Sequence, residues 1–322
     1  MKRVAKFDGP CNVGIEEVEV PAITDTQVLI RAAVSLISRG SEIWRRYILS
    51  GPVDHAIMGY SLAGTVEAVG RQVEGFSPGD RVAALAPHAE FVSVEVVNSP
   101  HKPPVVRLPD AVSFEAGTFW PLATSSVLWV REVEARQGDA MVILGQGLVG
   151  SGCLQVAKAD GLARLIAVDA LPLRCGLART LGADEVVDAS AEDPVQAVQR
   201  LTGGKGADIV VEAVGGRAGA KAFSQAQDMV RRGGAIQVIG LYEDEPLPLD
   251  SGKIQGRRVI GGHSRGDLRP QASDRALSLL AERKINVSDT ITHRFPFERA
   301  AEAFDLLYNR LGETMAVMLV WE

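Results

Sequence analysis

Hydrophobic and polar positions follow two different patterns along the chain. From residue 1 to about residue 118, short runs of apolar and β-branched residues recur between turn residues, which predicts a β-rich, barrel-like domain. From about 119 to 261, continuous apolar runs alternate with stretches of helical periodicity, as in a parallel sheet covered by helices on both faces. After about 262 the pattern is mixed again. The sequence therefore predicts an α/β protein in which a doubly wound parallel sheet follows a β-rich domain.

The individual elements come from these runs. We predict strands over 27–34, 64–69, 81–85, 90–94, 141–144, 165–168, 185–187, 208–211, 235–239 and 316–320, and helices over 148–160, 272–283 and 298–310. Asp193-Pro194 marks the start of a further helix, and Gly161 is suited to end one.

The segment 140–169 carries the strongest functional pattern. The apolar run 141–144 ends in the motif Gly145-Gln146-Gly147-Leu148-Val149-Gly150, a helical stretch follows, and a second apolar run ends in Asp169. In such a motif the first glycine permits a tight turn, the second lets the backbone approach a pyrophosphate, and the third lets helix and strand pack closely. The helix N-terminus directs N–H groups and a partial positive charge at the phosphates. The motif therefore predicts a dinucleotide-binding Rossmann unit.

Asp169 indicates which dinucleotide this unit prefers. It lies 19 residues after Gly150, where a carboxylate accepts hydrogen bonds from the hydroxyls of the adenosine ribose. A 2′-phosphate would meet its negative charge, and no basic residue follows before Arg174, which we also place at the cofactor. The sequence therefore predicts NAD(H) rather than NADP(H). An alternative, compatible with this role, is that Asp169 caps the helix that opens at Pro172.

Two later strands also end in glycine-containing segments, Val214-Gly215 and Ile239-Gly240-Leu241. Because a doubly wound sheet binds its ligand at the carboxyl ends of its strands, we expect both segments to contact the cofactor.

Composition restricts the class of protein. The chain has 322 residues, enough for two domains, and its 46% hydrophobic and 23% charged content is ordinary for a globular protein. A net charge of -6 without a basic cluster argues against nucleic-acid binding. We expect no membrane span and no signal peptide, because there is no apolar run of the required length. Three distant cysteines, Cys11, Cys153 and Cys175, indicate a reducing compartment and favour the cytoplasm.

One stretch of the first domain resembles a known family. The run Gly59-Tyr60-Ser61-Leu62-Ala63-Gly64-Thr65-Val66-Glu67-Ala68-Val69-Gly70, continued by Gly79-Asp80-Arg81-Val82, resembles the zinc-alcohol-dehydrogenase signature of the medium-chain dehydrogenase/reductase superfamily. The resemblance extends over essentially the whole chain. It implies a GroES-like domain over 1–118 to which 262–322 return, a Rossmann domain over 119–261, and an active site in the cleft between them. It also implies a homodimer through Arg257-Arg258-Val259-Ile260.

The chain departs from this family where the catalytic zinc ligands stand. Zinc-dependent members carry Gly-His-Glu where this chain has Gly59-Tyr60-Ser61, and a cysteine where it has Ser38 or Arg39. Near the position of the third ligand the chain has Trp120-Pro121-Leu122-Ala123, and the four-cysteine structural zinc lobe is absent. Since zinc needs three or four N, S or O ligands, we expect no metal. These departures resemble a zinc-free subgroup that includes bacteriochlorophyllide-dehydrogenase-like proteins.

Without zinc, a side chain must handle the proton of the reaction. Tyr60, at the former ligand position, is the first candidate, either as a base whose pKa a cation such as Arg39 lowers or as a hydrogen-bond donor to the reacting oxygen. The alternative is that Tyr60 fills the metal cavity as packing. Ser41 falls where the family has a hydroxyl of the proton relay, and Ser38 is a further candidate. Glu42 matches a carboxylate that lies behind the family's site.

Three residues are candidates for contact with the substrate. His55 lies in a loop that could border the cleft, and Trp44 and Trp120 could wall an apolar pocket, with core packing as the alternative. A lone histidine such as His88 is more often structural than catalytic. The resemblance alone places His263-Ser264 beside the nicotinamide amide.

Together these observations favour a zinc-independent, NAD(H)-dependent oxidoreductase that acts on a secondary alcohol or ketone, such as a sugar, a cyclitol or a biosynthetic intermediate. One alternative is a quinone- or enoyl-type reductase, although those relatives usually favour NADP(H). The other is a non-catalytic NAD(H)-binding sensor. The expected partners are a small-molecule substrate and a second copy of the chain.

Overall fold

The computed structural model describes residues 1–100, 102–161, 163–241, 246–262 and 266–322. The chain forms two compact units. The first comprises Met1–Pro121, Arg269–Arg283 and Val287–Glu322, and the second comprises Leu122–Leu268 and Lys284–Asn286. In the described part of the chain, no helix combines the length and the apolar character that a membrane crossing requires.

The first unit is built on a seven-stranded sheet in the order β14-β15-β3-β4-β5-β7, with β6 paired to β3, and on the hairpin β1-β2. All of these pairings are antiparallel except that of β14 with β15. The strands are β1 (Lys2–Lys6), β2 (Val13–Glu17), β3 (Gln27–Leu36), β4 (Leu62–Val69), β5 (Arg81–Ala84), β6 (Phe91–Glu95), β7 (Val105–Arg107), β14 (Ile291–Pro296) and β15 (Ala316–Val320).

Helices of the first unit cover and connect these strands. They are α1 (Phe114–Gly117), α7 (Arg269–Ala281) and α8 (Ala300–Asn309), with a π-helix (Arg39–Tyr47) and 3₁₀ turns at His55–Ile57, Ser288–Thr290, Phe297–Arg299 and Leu311–Glu313. The core joins apolar strand positions such as Ile30 and Val66 to Phe304 of α8, all essentially inaccessible to solvent. Strand β3 is buried on both sides over much of its length, which explains its nearly continuous apolar sequence.

The second unit is a six-stranded, wholly parallel sheet in the order β10-β9-β8-β11-β12-β13. This is the doubly wound strand order of a dinucleotide-binding fold, in which successive strands are added outward in opposite directions from β8 and β11. The elements are α2 (Trp120–Glu132, its first two residues counted with the first unit), β8 (Asp139–Leu144), α3 (Leu148–Asp160), β9 (Ala163–Asp169), α4 (Pro172–Thr180), β10 (Glu185–Asp188), α5 (Pro194–Leu201), β11 (Ala207–Glu212), a 3₁₀ turn (Gly216–Ala218), α6 (Gly219–Met229), β12 (Val230–Val238), β13 (Arg258–Gly261) and a 3₁₀ turn (Gly266–Leu268).

The predicted elements of this unit are confirmed closely. Helix α3 has the predicted bounds and ends at Gly161, which adopts the left-handed conformation that favours glycine at a helix C-terminus. Asp193 caps α5 by accepting a hydrogen bond from the Gln196 N–H. The sequence patterns did not predict α2, α6 or the π-helix, and the last of these contains part of the candidate site.

Candidate functional site

The glycine-rich turn after β8 has the geometry that the sequence predicts. Gly145 has φ +91°, and a Cβ atom there would lie 2.7 Å from a methyl group of Val214. At Gly150 the contact is closer, because a Cβ atom would lie 1.8 Å from the carbonyl oxygen of Gly145. The turn and the start of α3 therefore pack so tightly that both positions need glycine.

Gly147 leaves the approach to this turn open. It is the N-cap of α3 and makes no side-chain capping bond, and a Cβ atom there would meet only a guanidinium nitrogen of Arg174, at 3.7 Å. The first N–H groups of a helix have no partner within the helix. They are available to an anion at this point, as a pyrophosphate requires.

Asp169, at the end of β9, organises the turn from the side. One carboxylate oxygen accepts a hydrogen bond from the Gln146 N–H at 2.7 Å, and the other accepts one from the Leu171 N–H at 2.9 Å. Asp169 is therefore fixed beside the glycine motif, and each oxygen keeps a second lone pair for a ribose hydroxyl. The capping alternative for Asp169 is wrong as stated, because the N-cap of α4 is Leu171 and it has no side-chain cap.

Arg174 lies near the start of α4, and its side chain lies beside Asp169 and the glycine-rich turn. Its guanidinium is 3.9 Å from the Asp169 carboxylate, and burial lowers its pKa. The Nε atom is buried and has no hydrogen-bond partner in the described part of the chain. A buried donor without an acceptor is costly, so this atom fits beside an anionic or hydroxyl-rich ligand. The residues present therefore fit a dinucleotide.

The other predicted cofactor residues lie at the carboxyl ends of neighbouring strands. The Val214 N–H donates to the buried carboxylate of Glu212 at 2.7 Å, and the Ile239 N–H donates to the Glu212 carbonyl at 2.8 Å. A Cβ atom on Gly240 would lie 2.5 Å from the Val214 carbonyl oxygen, and one on Gly215 3.3 Å from the Leu241 carbonyl oxygen. These segments therefore adjoin one another. His263 and Ser264 lie outside the described residues.

The first unit contains a cluster of hydroxyl groups around Tyr60. The Tyr60 hydroxyl donates to Ser38 Oγ at 3.0 Å, and it is also hydrogen-bonded to the Ser41 side chain. Ser38 is the N-cap of the π-helix and Ser41 lies in its first turn. The structure thus brings together three of the four predicted catalytic residues, which we call the hydroxyl cluster.

The electrostatics of the cluster differ from the expectation. Burial raises the pKa of Tyr60 to about 12, and its hydrogen bonds with the two serines and the charge of Arg46 offset this only in part. A cation does act on this pKa as predicted, but it is Arg46 and not Arg39, and burial outweighs its effect. The Arg39 guanidinium stacks 5.3 Å from the centre of the Trp44 ring and donates to the Leu307 carbonyl at 3.4 Å. Tyr60 is therefore a neutral hydrogen-bond donor at physiological pH.

A buried histidine–carboxylate pair supports the cluster from below. Glu42 and His88 have fully buried side chains, and Glu42 Oε2 lies 2.7 Å from His88 Nε2. Glu42 Oε1 accepts from the Ser38 N–H at 2.8 Å, so the pair fixes the backbone that carries the Ser38 hydroxyl. On its other side His88 Nδ1 lies 2.8 Å from Ser35 Oγ, which also accepts from Trp321 Nε1 at 2.9 Å. His88 is therefore structural.

The family-typical zinc ion does not fit these residues. The positions that resemble its ligands offer the neutral phenol of Tyr60 and the hydroxyl of Ser38, and neutral hydroxyls are not the thiolate, imidazole or carboxylate groups that bind zinc. Ser61, at the next position, donates to the Thr118 carbonyl. Among the described residues, no group of three His, Cys, Asp or Glu side chains is placed to hold a metal ion.

Two predicted substrate contacts are not brought to the hydroxyl cluster. Trp120 is completely buried and donates to Ser273 Oγ at 2.8 Å, so it is a core residue and not the wall of an open pocket. His55 lies on an exposed 3₁₀ turn, 3.4 Å from Asp54, and lines a separate cavity of about 440 Å³ whose described lining does not include Tyr60. Trp44 remains on the π-helix, edge-on to Tyr308.

Sequence reasoning missed Arg46, which is the cation that acts on Tyr60. The sequence did contain a signal for it. Arg45 and Arg46 are adjacent basic residues in the segment 39–47, which carries a single acidic residue, Glu42. Arg46 interacts electrostatically with Glu42 and Tyr60, and its Nη1 atom is buried without a partner in the described part of the chain.

Comparison with known proteins assigns the two units to known families. Residues 24–99 match the alcohol dehydrogenase GroES-like domain, and residues 149–282 match the zinc-binding dehydrogenase family. The chain belongs to the medium-chain dehydrogenase/reductase superfamily. It is accordingly an oxidoreductase of the dehydrogenase type, and the GroES-like and Rossmann folds predicted from the sequence are confirmed.

Full-length relatives agree with this membership. The chain is 29% identical to human sorbitol dehydrogenase over 94% of its own length and 92% of the relative's. It is 29% identical to D-arabitol-phosphate dehydrogenase of Enterococcus avium over 99% and 97% of the two chains. Among solved structures, the alcohol dehydrogenase TADH from Thermus sp. ATN1 superimposes with a TM-score of 0.84 at 27% identity, over 99% of each chain.

Proposed function

We propose that this medium-chain oxidoreductase interconverts a secondary alcohol and its ketone with NAD(H) and without catalytic zinc. The observation that carries the proposal is the Tyr60–Ser38 hydroxyl pair, 3.0 Å apart, at the positions that resemble zinc ligands. The names of the matched relatives, sorbitol dehydrogenase and D-arabitol-phosphate dehydrogenase, favour a polyol or a polyol derivative as substrate.

Asp169 supports NAD(H) over NADP(H). Its carboxylate is held by the Gln146 and Leu171 N–H groups at the end of β9, so it cannot swing away from a ribose without losing both bonds. A 2′-phosphate there would meet a fixed negative charge, which the buried guanidinium of Arg174, 3.9 Å away, offsets only in part.

The hydroxyl cluster supplies the proton chemistry in this proposal. Bound NAD(H) supplies or accepts the hydride. As a carbonyl carbon gains hydride, negative charge develops on its oxygen, and a neutral Tyr60 phenol stabilises that charge by donating a hydrogen bond and then its proton. A phenol with a pKa of about 12 is still a stronger acid than an aliphatic alcohol. Ser38 and Ser41 hold the phenol oxygen in place. In carbonyl reduction either hydroxyl can return a proton to the phenolate by donating its own proton while it takes one from water, so the serine stays neutral.

The proposal also includes a homodimer. Strand β13 is the last strand of the six-stranded sheet, and Arg258, Val259 and Gly261 are exposed along it. An exposed edge strand is a ready template for pairing with a second copy, as we expect for Arg257-Arg258-Val259-Ile260.

The test is turnover by protein treated with a chelator. Absorbance at 340 nm is followed with NAD⁺ and a panel of alditols, alditol phosphates and secondary alcohols, and with NADH and the matching ketones. Tyr60→Phe should lower kcat by about 100-fold to 1000-fold, the usual cost of losing one donor to a developing oxyanion. Tyr308→Phe is the matched control, because it removes a tyrosine hydroxyl from the same unit outside the hydroxyl cluster.

Three results would count against the proposal. Activity that disappears with the chelator and returns with zinc would contradict a metal-free mechanism. Reduction of activated C=C bonds with NADPH, without alcohol oxidation, would instead favour an enoyl- or quinone-type reductase. NADH binding without turnover of any substrate would leave a dinucleotide-binding protein.

A further inference from the structure

Arg46 has an unsatisfied hydrogen-bond donor beside the hydroxyl cluster. Its guanidinium is half-buried, and the Nη1 atom is inaccessible and has no hydrogen-bond partner in the described part of the chain. Leaving a charged donor buried and unpaired is among the more expensive arrangements in a folded protein. Such an atom is expected to find an acceptor when the protein works.

The π-helix directs Arg46 toward the cluster. Its hydrogen bonds join residues five apart, as in the bond from the Ile48 N–H to the Ile43 carbonyl at 3.3 Å. Residues four or five positions apart therefore share a side of this helix, which groups Arg46 with Ser41 and Glu42. The electrostatic interactions of Arg46 with Tyr60 and Glu42 agree with this placement.

Glu42, the carboxylate that acts on Arg46, is already occupied. Glu42 accepts a hydrogen bond from the Ser38 N–H with one oxygen and pairs with His88 through the other. The π-helix carries three arginines and this single acid. Arg39 is engaged with Trp44 and Leu307, and Arg45 points to solvent. Both oxygens of Glu42 are therefore occupied, and the Nη1 donor of Arg46 is left without an acceptor in the described part of the chain.

We propose that Arg46 anchors an anionic group of the substrate, a phosphate monoester or a carboxylate, while the hydroxyl cluster handles the reacting oxygen. This inference rests on the proposed function and narrows its substrate class to polyol phosphates or hydroxy acids over neutral polyols. Arginine is suited to this task because its planar guanidinium donates two parallel hydrogen bonds to either group.

The experiment compares matched substrates and matched variants. An alditol, its phosphate monoester and the corresponding hydroxy acid are assayed with NAD⁺ against wild type, Arg46→Met and Arg45→Met. The methionine keeps an apolar stem of similar length, and Arg45 lies next to Arg46 on the same helix. For the anionic substrate we expect Arg46→Met to raise KM about tenfold to 100-fold with kcat within threefold. On the neutral alditol, Arg45→Met should keep wild-type kinetics and Arg46→Met should leave KM within threefold, whatever its effect on kcat through Tyr60. Arg46→Lys should recover part of the loss on the anionic substrate.

Preference for the phosphate or for the hydroxy acid tells which anion the site serves. Equal losses on neutral and anionic substrates in Arg46→Met would overturn the proposal, because Arg46 would then have a structural role. A higher kcat/KM of the wild-type enzyme for the neutral alditol than for both anionic substrates would also overturn the proposal. Circular dichroism and NADH affinity establish that the variants are folded.

A second readout does not depend on turnover. With the dinucleotide site saturated by NADH, inorganic phosphate at millimolar concentration should raise the unfolding temperature of wild type and of Arg45→Met by more than that of Arg46→Met. If no alcohol is oxidised, the proposed function fails while this measurement still decides the role of Arg46. Stabilisation of all three proteins by phosphate to the same extent would refute anchoring by Arg46.

Discussion

Replacing Gly150 with alanine tests how the glycine-rich turn creates the cofactor site. The new Cβ atom would lie 1.8 Å from the Gly145 carbonyl oxygen and 2.9 Å from the Gly145 carbonyl carbon. Ordinary carbon–oxygen contacts begin near 3.3 Å. Because the obstructing atoms belong to the backbone, no side-chain rotation can relieve the overlap. The turn and the N-terminus of α3 must separate by more than an ångström.

Two opposing effects set the size of the loss. Alanine favours a helix over glycine by about 1 kcal/mol, which would stabilise α3 if there were room. Overpacking of a tight interior costs about 1–3 kcal/mol and occasionally more, and an obstructing backbone places this case at the upper end. We therefore expect a net loss of about 2 kcal/mol in unfolding free energy. Because the N–H groups that meet the pyrophosphate move with the turn, NADH affinity should fall at least tenfold.

The assay pairs this variant with Gly176→Ala. Gly176 lies inside α4, and a Cβ atom there would have no neighbour within 4 Å. The same substitution should therefore stabilise the second unit by about 0.5–1 kcal/mol and leave NADH binding unchanged. Urea unfolding followed by circular dichroism gives the stabilities, and fluorescence titration gives the NADH affinities. If Gly150→Ala keeps the unfolding free energy and the NADH affinity of the wild type, then close packing at Gly150 does not create the cofactor site.

Three further predictions follow from the same geometry. Asp169→Asn should raise the NADPH-to-NADH ratio of kcat/KM at least tenfold by removing the charge that faces a 2′-phosphate, and an unchanged ratio would show that another group sets the preference. Because burial raises the pKa of Tyr60 to about 12, its protonated form persists to high pH. The rate of carbonyl reduction should therefore not fall between pH 6 and 10 through ionisation of Tyr60. A decline in rate near pH 9 that vanishes in Tyr60→Phe would contradict this. His88→Leu should destabilise the first unit by about 3–5 kcal/mol by leaving Glu42 buried and unpaired, and Glu42→Gln by less, as chemical denaturation would measure.

Much of the second unit could be predicted because its signals are local. Continuous apolar strands, helix-ending glycines and the glycine motif each lie within a few residues of the feature they specify, so α3, α5 and the turn were predicted with nearly their observed bounds. Helix α6 was missed because its apolar positions are interrupted by small and polar residues. In the first unit, the sequence identified Tyr60, Ser38 and Ser41 as a group through the family resemblance.

The sequence by itself determined the fold, the cofactor-binding motif and the departure from the zinc ligands, since each is written in residues close together in the chain or in a family pattern. Only the tertiary structure decided the environment of Tyr60. His88 meets Glu42 across 46 positions and Trp321 meets Ser35 across 286, contacts that no local pattern specifies. The structure also places Arg46, and not Arg39, where its charge acts on Tyr60. Burial in the folded unit raises the Tyr60 pKa and makes the residue a donor instead of a base.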